Sequence, residues 1–241
     1  MSDRSTTRHD SEAGYALHSY PFRETSLLVE VFTRNLGRIS LVARGARRPK
    51  SALRGMLLSF NPLALSWSGK AELKTLHGAE WRGGYMTLKG TALICGFYVN
   101  ELLLKLLHRD DPHPSLFDAY EQALHDLCSG NDLAATLRRF EVCLLRELGY
   151  ALSLDRDVAS DSPIDPQRRY TYVIERGPVS EDIVQNGVEL NGKTLLDMHV
   201  GEYADFTTRQ QSKYLMRTLI GHYLGNQMLH SRQLLRELLE L

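Results

Sequence analysis

The chain has 241 residues, with 29 Lys+Arg against 29 Asp+Glu, 43% hydrophobic and 24% charged residues, an ordinary globular composition. That length suits one large domain or two small ones and excludes disorder throughout. The uncharged apolar segment Gly90 to Asn100 is far below the roughly 20 residues a membrane-spanning helix needs, so a cytoplasmic protein is expected.

Met1 to Ala13 is polar with no apolar run, which predicts a loose tail and neither a secretory signal nor a transit peptide. Zero net charge hides an asymmetry. Residues 1–84 hold 13 Lys+Arg and 7 Asp+Glu, leaving 16 and 22 for the rest. Tyr15 to Ser19 is expected to open a sheet. Leu27, Val29, Val31 and Thr33 then alternate with Leu28, Glu30, Phe32 and Arg34, the period-2 pattern of a strand. After the turn Asn35-Leu36-Gly37, a second strand runs from Arg38 to Arg44. Gly45 to Ser51 carries Gly, Pro and mutually repelling cations, and reads as an exposed loop. Leu63, Leu65 and Trp67, then Ala71, Leu73 and Thr75, suggest two more strands around Ser68-Gly69. Five short strands in about 70 residues suit an OB-type or an SH3-like barrel.

From Arg34 to Arg54 the cations Arg34, Arg38, Arg44, Arg47, Arg48, Lys50 and Arg54 occur without one Asp or Glu. Such a block is either a solvated face or a polyanion site. Binding there would be salt-dependent with little sequence preference. Tyr20, Phe22, Phe32, Phe60 and Trp67 are available for base stacking, with burial in the core as the alternative.

The remainder reads as helices. Gly90 to His108 is apolar almost all round, as in a buried helix. Ser115 suits the N-cap of a helix to about Leu127, and Asp132 caps another that ends at Gly149. On that last helix Leu133, Leu137, Phe140, Leu144 and Leu148 form a core stripe. A second stripe of Arg138, Val142 and Leu145, with Arg139 and Arg146 nearby, is either covered by another helix or a groove for an apolar side chain beside an acid. A polar loop from Ala151 to Gln167 precedes a strand, Tyr170 to Glu175. Asn-Gly pairs at 186–187 and 191–192 suggest a hairpin. Helices follow from about Thr207 to Leu224 and from Ser231 to Leu239.

Some patterns tempt. Gly187 to Thr194 matches the Walker A spacing, but polar residues precede it, Glu189 would face the phosphates, and repeated βαβ units are lacking. His108, Asp110, Asp111 and His113 read as an acidic turn. Cys95, Cys128 and Cys143 are odd in number, lack a C-x-x-C pair, and read as buried thiols. Without a nucleophile elbow or zincin motif, no enzyme and no cofactor is expected. The fold class is therefore α+β, an N-terminal OB-type or SH3-like barrel at 14–82 after the tail at 1–13, then a mainly helical domain at 83–241 with a small β insert at about 151–205.

Pro21 to Leu28, Phe32-Thr33, Gly37-Arg38 and Ala43 to Arg47 resemble the N-terminal domain of the bacterial RecO family of recombination and repair mediators. Phe60 to Leu63, Glu72 to Leu76, Tyr98 to Leu102, Leu137 to Glu141, Leu148 to Tyr150 and Ser231 to Leu235 continue the likeness in the family's order. The resemblance implies an N-terminal OB-fold followed by a helical domain, in a non-catalytic protein that binds single- and double-stranded DNA. It implies annealing of strands coated with single-strand-binding protein (SSB) without ATP and, with the partner RecR, loading of RecA. It also implies contact with the acidic, Phe-terminated SSB tail, with Arg138 and Arg139 meeting carboxylates and Val142, Leu145 and Phe117 as apolar walls. Some members hold zinc with four Cys after Leu-Gly-Tyr. Here Asp157 lies where the first is expected and Ala151 to Val200 contains no Cys, so no zinc is expected. An RNA-binding OB module is the alternative reading.

Overall fold

The computed structural model describes residues 7–84, 87–150, 152–180, 187–225 and 227–239. Strands β1 (Arg8–Phe22), β2 (Ser26–Thr33), β3 (Gly37–Ala43), β4 (Leu63–Ser68) and β5 (Leu73–Trp81) close a barrel in the order β1-β2-β3-β5-β4, with the short helix α1 (Leu53–Met56) between β3 and β4. Among the described strand pairs of the barrel, only β3 and β5 are parallel, the arrangement of an OB-type barrel. Its inside is filled by the alternating residues of the strands, among them Val29, Val31, Ile39, Leu41, Leu63, Leu65 and Trp67, all fully buried.

The strand that closes the barrel starts at Arg8, so the expected loose tail does not extend to Ala13. Arg8 pairs with Ser68 and His9 with Trp67, across a bulge before Glu12. The His9 ring stacks on the Trp67 indole at 5.0 Å and 21°. Polar residues on the outer side of an edge-closing strand mask its period, which is why composition reads them as a tail. β5 likewise runs further, to Trp81.

Helices α2 (Gly90–Leu106), α3 (Pro114–Cys128) and α7 (His230–Leu239) form one compact unit with the barrel. Pro114 rather than a Ser115 cap opens α3, where its missing N–H costs nothing. Tyr15 and Phe32, on the outer face of β1 and β2, meet Phe117 and Tyr120 of α3 with ring centroids 5.2–5.9 Å apart. A buried relay locks this seam. Tyr120 Oη donates to Asn100 Oδ1 at 2.8 Å, and Asn100 Nδ2 donates to the Leu17 carbonyl at 2.9 Å. Asn100→Ala strands both partners, and should lower the urea-unfolding free energy by about 2 kcal/mol. Gly37 needs to be glycine. Its φ is +68°, and a Cβ there would lie 1.9 Å from the Asp111 carbonyl oxygen. On α2, Ser231 N and Oγ of α7 both donate to Glu101 Oε2, at 2.9 and 2.6 Å.

The second compact unit spans Ser129–His230. It holds α4 (Leu133–Glu147), α5 (Gly192–Val200), α6 (Phe206–Leu224) and a sheet of β6 (Arg169–Val173), β7 (Gly177–Val179) and β8 (Val188–Asn191) in the order β7-β6-β8. Asp132 caps α4 as expected, accepting from Ala134 N and Ala135 N. The expected hairpin at Asn191-Gly192 is instead a strand running straight into a helix, because β8 pairs with β6 and Gly192 begins α5. Asn186 lies outside the described residues.

Candidate nucleic-acid interface

The loop after β3 leaves the barrel at Arg44 and turns at Gly45, whose φ is +70°. Arg47 N donates to the Thr25 carbonyl at 2.9 Å, and Arg47 Nη1 donates to the carbonyls of Arg23 and Glu24 at 3.2 Å each. These bonds pin the loop to the turn between β1 and β2. Arg44, Arg47, Arg48, Lys50 and Arg54 are exposed there and form no ion pair among the described residues. Arg23, on the neighbouring turn, joins them, its guanidinium carbon 5.3 Å from the Phe22 ring centre. Sequence reading missed Arg23 because only the hydrogen bonds of the loop bring that turn alongside.

Arg34 and Arg38 belong elsewhere. Arg34 makes a two-pronged pair with Asp118 of α3, at 2.5 and 3.0 Å, and this carboxylate raises its pKa. Arg38 is half-buried, and that burial lowers its pKa although Glu30 opposes the shift. Its Nε donates to the Leu107 carbonyl and its Nη1 to Glu30 Oε2. Buried Glu30 also accepts from Ser40 Oγ at 2.6 Å and Arg109 Nη2 at 2.8 Å. Both arginines thus fasten the barrel to the helices that follow it.

The aromatics divide in the same way. Phe32, Phe60 and Trp67 are buried in packing. Tyr20 is 45% exposed and Phe22 partly so, both on the outward side of β1. Register sets Tyr20 opposite Leu28, Leu28 opposite Val42, and Val42 opposite Thr75, an outer row across four strands in which Val42 stands just before the basic loop. A ring and several unpaired cations at one end of a barrel can hold bases and phosphates together.

In the second unit, Arg138 Nη2 donates to Glu141 Oε1 at 2.5 Å, whereas Arg138 Nη1 is buried with no hydrogen-bond partner among the described residues. Arg139 is exposed, and its Nε donates to the Gly201 carbonyl at 2.9 Å. Tyr203 lies beside this pair. Burial pushes its phenol up to about 12, with Arg138 opposing, so the hydroxyl stays protonated and able to donate. Val142 and Leu145 are buried, so the second stripe of α4 is covered in this structure, the other of its two readings. Phe117 sits in the first unit, packed on Tyr15 and Phe32, because α3 turns that ring onto the barrel.

The Walker-like segment forms no phosphate loop. Residues 188–191 are strand, Thr194 Oγ1 donates to Gln211, and Lys193 pairs with Asp197 at 2.5 Å. A Cβ on Gly192 would lie 1.9 Å from the Asp165 carbonyl oxygen, so the backbone there is already packed. The turn at 108–113 is likewise occupied by structural pairs, Lys74 with Asp110 and His113 with Asp111. Cys95 is buried as expected, but Cys128 is exposed at the end of α3 and Cys143 half-buried.

Asp157 stands at the position where the sequence resemblance leads one to expect the first zinc-binding Cys. Its carboxylate accepts from Ala159 N at 2.8 Å, Ser160 N at 3.4 Å, Ser180 N at 3.2 Å and Ser180 Oγ. With both oxygens engaged and no Cys in the segment, this donor set does not fit zinc. No described helix is long and apolar enough to cross a membrane.

Residues 9–85 match the family model for the recombination protein O N-terminal domain, and residues 88–233 match that for its C-terminal domain. The DNA repair protein RecO of Nitrosospira multiformis is 57% identical over 239 residues, spanning 97% of this chain and 98% of that protein. That of Aromatoleum aromaticum is 54% identical over 235 residues, spanning 97% and 98%. With an OB-type barrel followed by helices, and likeness of this extent across both domains, the chain belongs to the RecO family.

Proposed function

We propose that this member of a DNA repair family acts in the cytoplasm, at the nucleoid, binding single- and double-stranded DNA through the barrel loop. Arg44, Arg47, Arg48, Lys50 and Arg54, with Arg23 added by the fold, neutralise phosphates so that two like-charged strands can approach. Tyr20 offers a base a ring face. Complementary strands coated with SSB then anneal without nucleotide hydrolysis, and with RecR the protein promotes RecA loading. The observation that carries this reading is the acid-free, unpaired cationic loop fastened beside an exposed ring.

The test is annealing of complementary oligonucleotides pre-coated with the matched SSB, with and without ATP. Fast annealing without ATP supports the reading. Failure with folded protein, together with tighter binding of RNA than of DNA, would replace it with an RNA-binding module.

The SSB tail is proposed to dock in the second unit. Arg138 keeps one unpartnered edge for a carboxylate, with Arg139 exposed beside it. Its apolar walls, Val142 and Leu145, are buried, so entry of the tail's Phe displaces what covers them. Arg138→Ala should weaken binding of an SSB tail peptide by about thirtyfold while naked-DNA affinity holds. Because that change also strips buried Glu141 of a guanidinium, Arg138→Lys is measured beside it, keeping the charge but losing the fork. Calorimetry giving equal peptide affinity for all three proteins would remove Arg138 from the contact.

A further inference from the structure

Helix α6 has 19 residues and not one acid. At about 100° per residue, Phe206, Gln210, Lys213, Tyr214, Arg217 and Gly221 fall in one stripe roughly a quarter to a third of the way round, and all six are exposed. Phe206 and Tyr214 are 72% and 63% exposed, unusual for rings of that size. Arg209, at the edge of the stripe, is already engaged, with Nη2 2.7 Å from Asp132 and Nε donating to the Tyr203 carbonyl. Lys213 and Arg217 form no ion pair among the described residues, and lie about 6 Å apart along the helix axis.

An ordinary solvated helix face mixes both signs of charge and pairs them at four-residue spacing. This one does neither, although the chain from residue 85 onward is net acidic. Two kinds of polyanion could use it, an acidic peptide or a nucleic-acid strand. A peptide anchors its apolar side chains in concave pockets, whereas a convex helix offers none. Flat exposed rings between unpaired cations are instead what a single strand uses, with bases on the rings and phosphates on the cations.

We infer that the outer face of α6, through Lys213, Arg217, Tyr214 and Phe206, is a second single-strand binding site, separate from the barrel loop. The two sites lie in different compact units of the chain, and with a strand on each, one molecule would hold two at once. This inference rests on the annealing reading and supplies what that reading needs, a grip on each partner.

The experiment uses the full chain with two non-complementary oligothymidylates, one bearing a donor and one an acceptor fluorophore. Wild-type protein, monomeric by light scattering, should bring the dyes together. Lys213→Gln with Arg217→Gln and Tyr214→Ala should abolish that transfer while the first strand binds with unchanged affinity. Tyr214→Ala alone should weaken the second binding event about tenfold. The two charge removals should lower its salt slope by about 1.4. All three positions are solvent-exposed, and a thermal melt matching wild type establishes that the fold is kept. Unchanged transfer in the variant, or no transfer in wild type, would overturn the inference. So would loss of all binding in the α6 variant, since the face would then be part of the first site. Unchanged transfer with lost affinity for an acidic peptide would make the face a peptide surface. Arg47→Glu with Arg48→Glu is run in parallel. Full one-strand affinity in that protein counts against the barrel loop alone, so the two readings fail separately.

Discussion

Arg47→Glu with Arg48→Glu is expected to lower affinity for single-stranded DNA at low salt by at least about a hundredfold and to flatten its salt dependence. Each cation that meets a phosphate releases counterions, at a slope of about 0.7 per contact for single strands. Removing two contacts should lower the slope of log K against log salt by about 1.4, and the new carboxylates add repulsion on top. Both side chains are exposed, so the barrel itself should be unaffected. The Arg47 bonds to the carbonyls of Arg23 and Glu24 are lost as well, which loosens the loop from its neighbouring turn. Lys substitutions at both positions, keeping charge, should restore most of the slope. A salt titration identical to wild type would remove the loop from the interface. Arg34→Gln is the contrasting change, since its guanidinium is held by Asp118. It should alter the seam between β2 and α3 far more than the DNA salt slope.

Asp157→Ala is expected to destabilise the second unit by about 4 kcal/mol, because one carboxylate serves three backbone N–H groups and the Ser180 hydroxyl. Asp157→Asn should recover part of this, as its single oxygen can satisfy only one side of the array. Burial raises the Asp157 pKa, but the bonds from Ser180 and from the N–H groups of Ala159, Ser160 and Ser180 outweigh it, and the net shift is downward. A depressed folded-state pKa means that the stabilisation is fully present above the ordinary carboxyl range, near 3.9, and is lost as pH falls through the lower folded-state value. Wild-type stability should therefore drop more steeply with acid below about pH 4 than that of Asp157→Ala. Parallel acid titrations of urea unfolding test this. Equal slopes would show that the array contributes nothing linked to that proton.

The barrel was legible because its inward residues alternate. Val29, Val31, Ile39 and Leu41 give both the strands and their register, and the Gly37 turn between them follows from one residue type. Helices α2, α3, α4, α6 and α7 show in their apolar runs and caps. The misses have a common cause, which is that partners distant in sequence decide the outcome. Nothing local to Arg34 shows that Asp118 will hold it, and Arg38 is claimed by Glu30 and the Leu107 carbonyl. The polar start of β1 becomes strand only because Ser68 and Trp67 are there to pair with it. Asn191-Gly192 carries a hairpin signature, yet β6 captures the strand before it and α5 begins at the glycine. Phe117 has the same apolar spacing whether it faces a groove or a barrel. As for the proposed site, the basic loop is visible in composition, whereas the exposure of Tyr20, the burial of Trp67 and the nearness of Arg23 needed the fold.

The place of α7 sets an order of events during synthesis. The barrel, α2 and α3 are made first, but their unit is completed by a helix that begins at His230, with Ser231 reaching back to Glu101 on α2. As the chain emerges from the ribosome, α4 to α6 and their sheet must pass before α7 arrives. The first unit therefore waits, with the α2 surface around Tyr98 and Glu101 uncovered, until α7 has been made. Loss of α7 is then felt by the part built first.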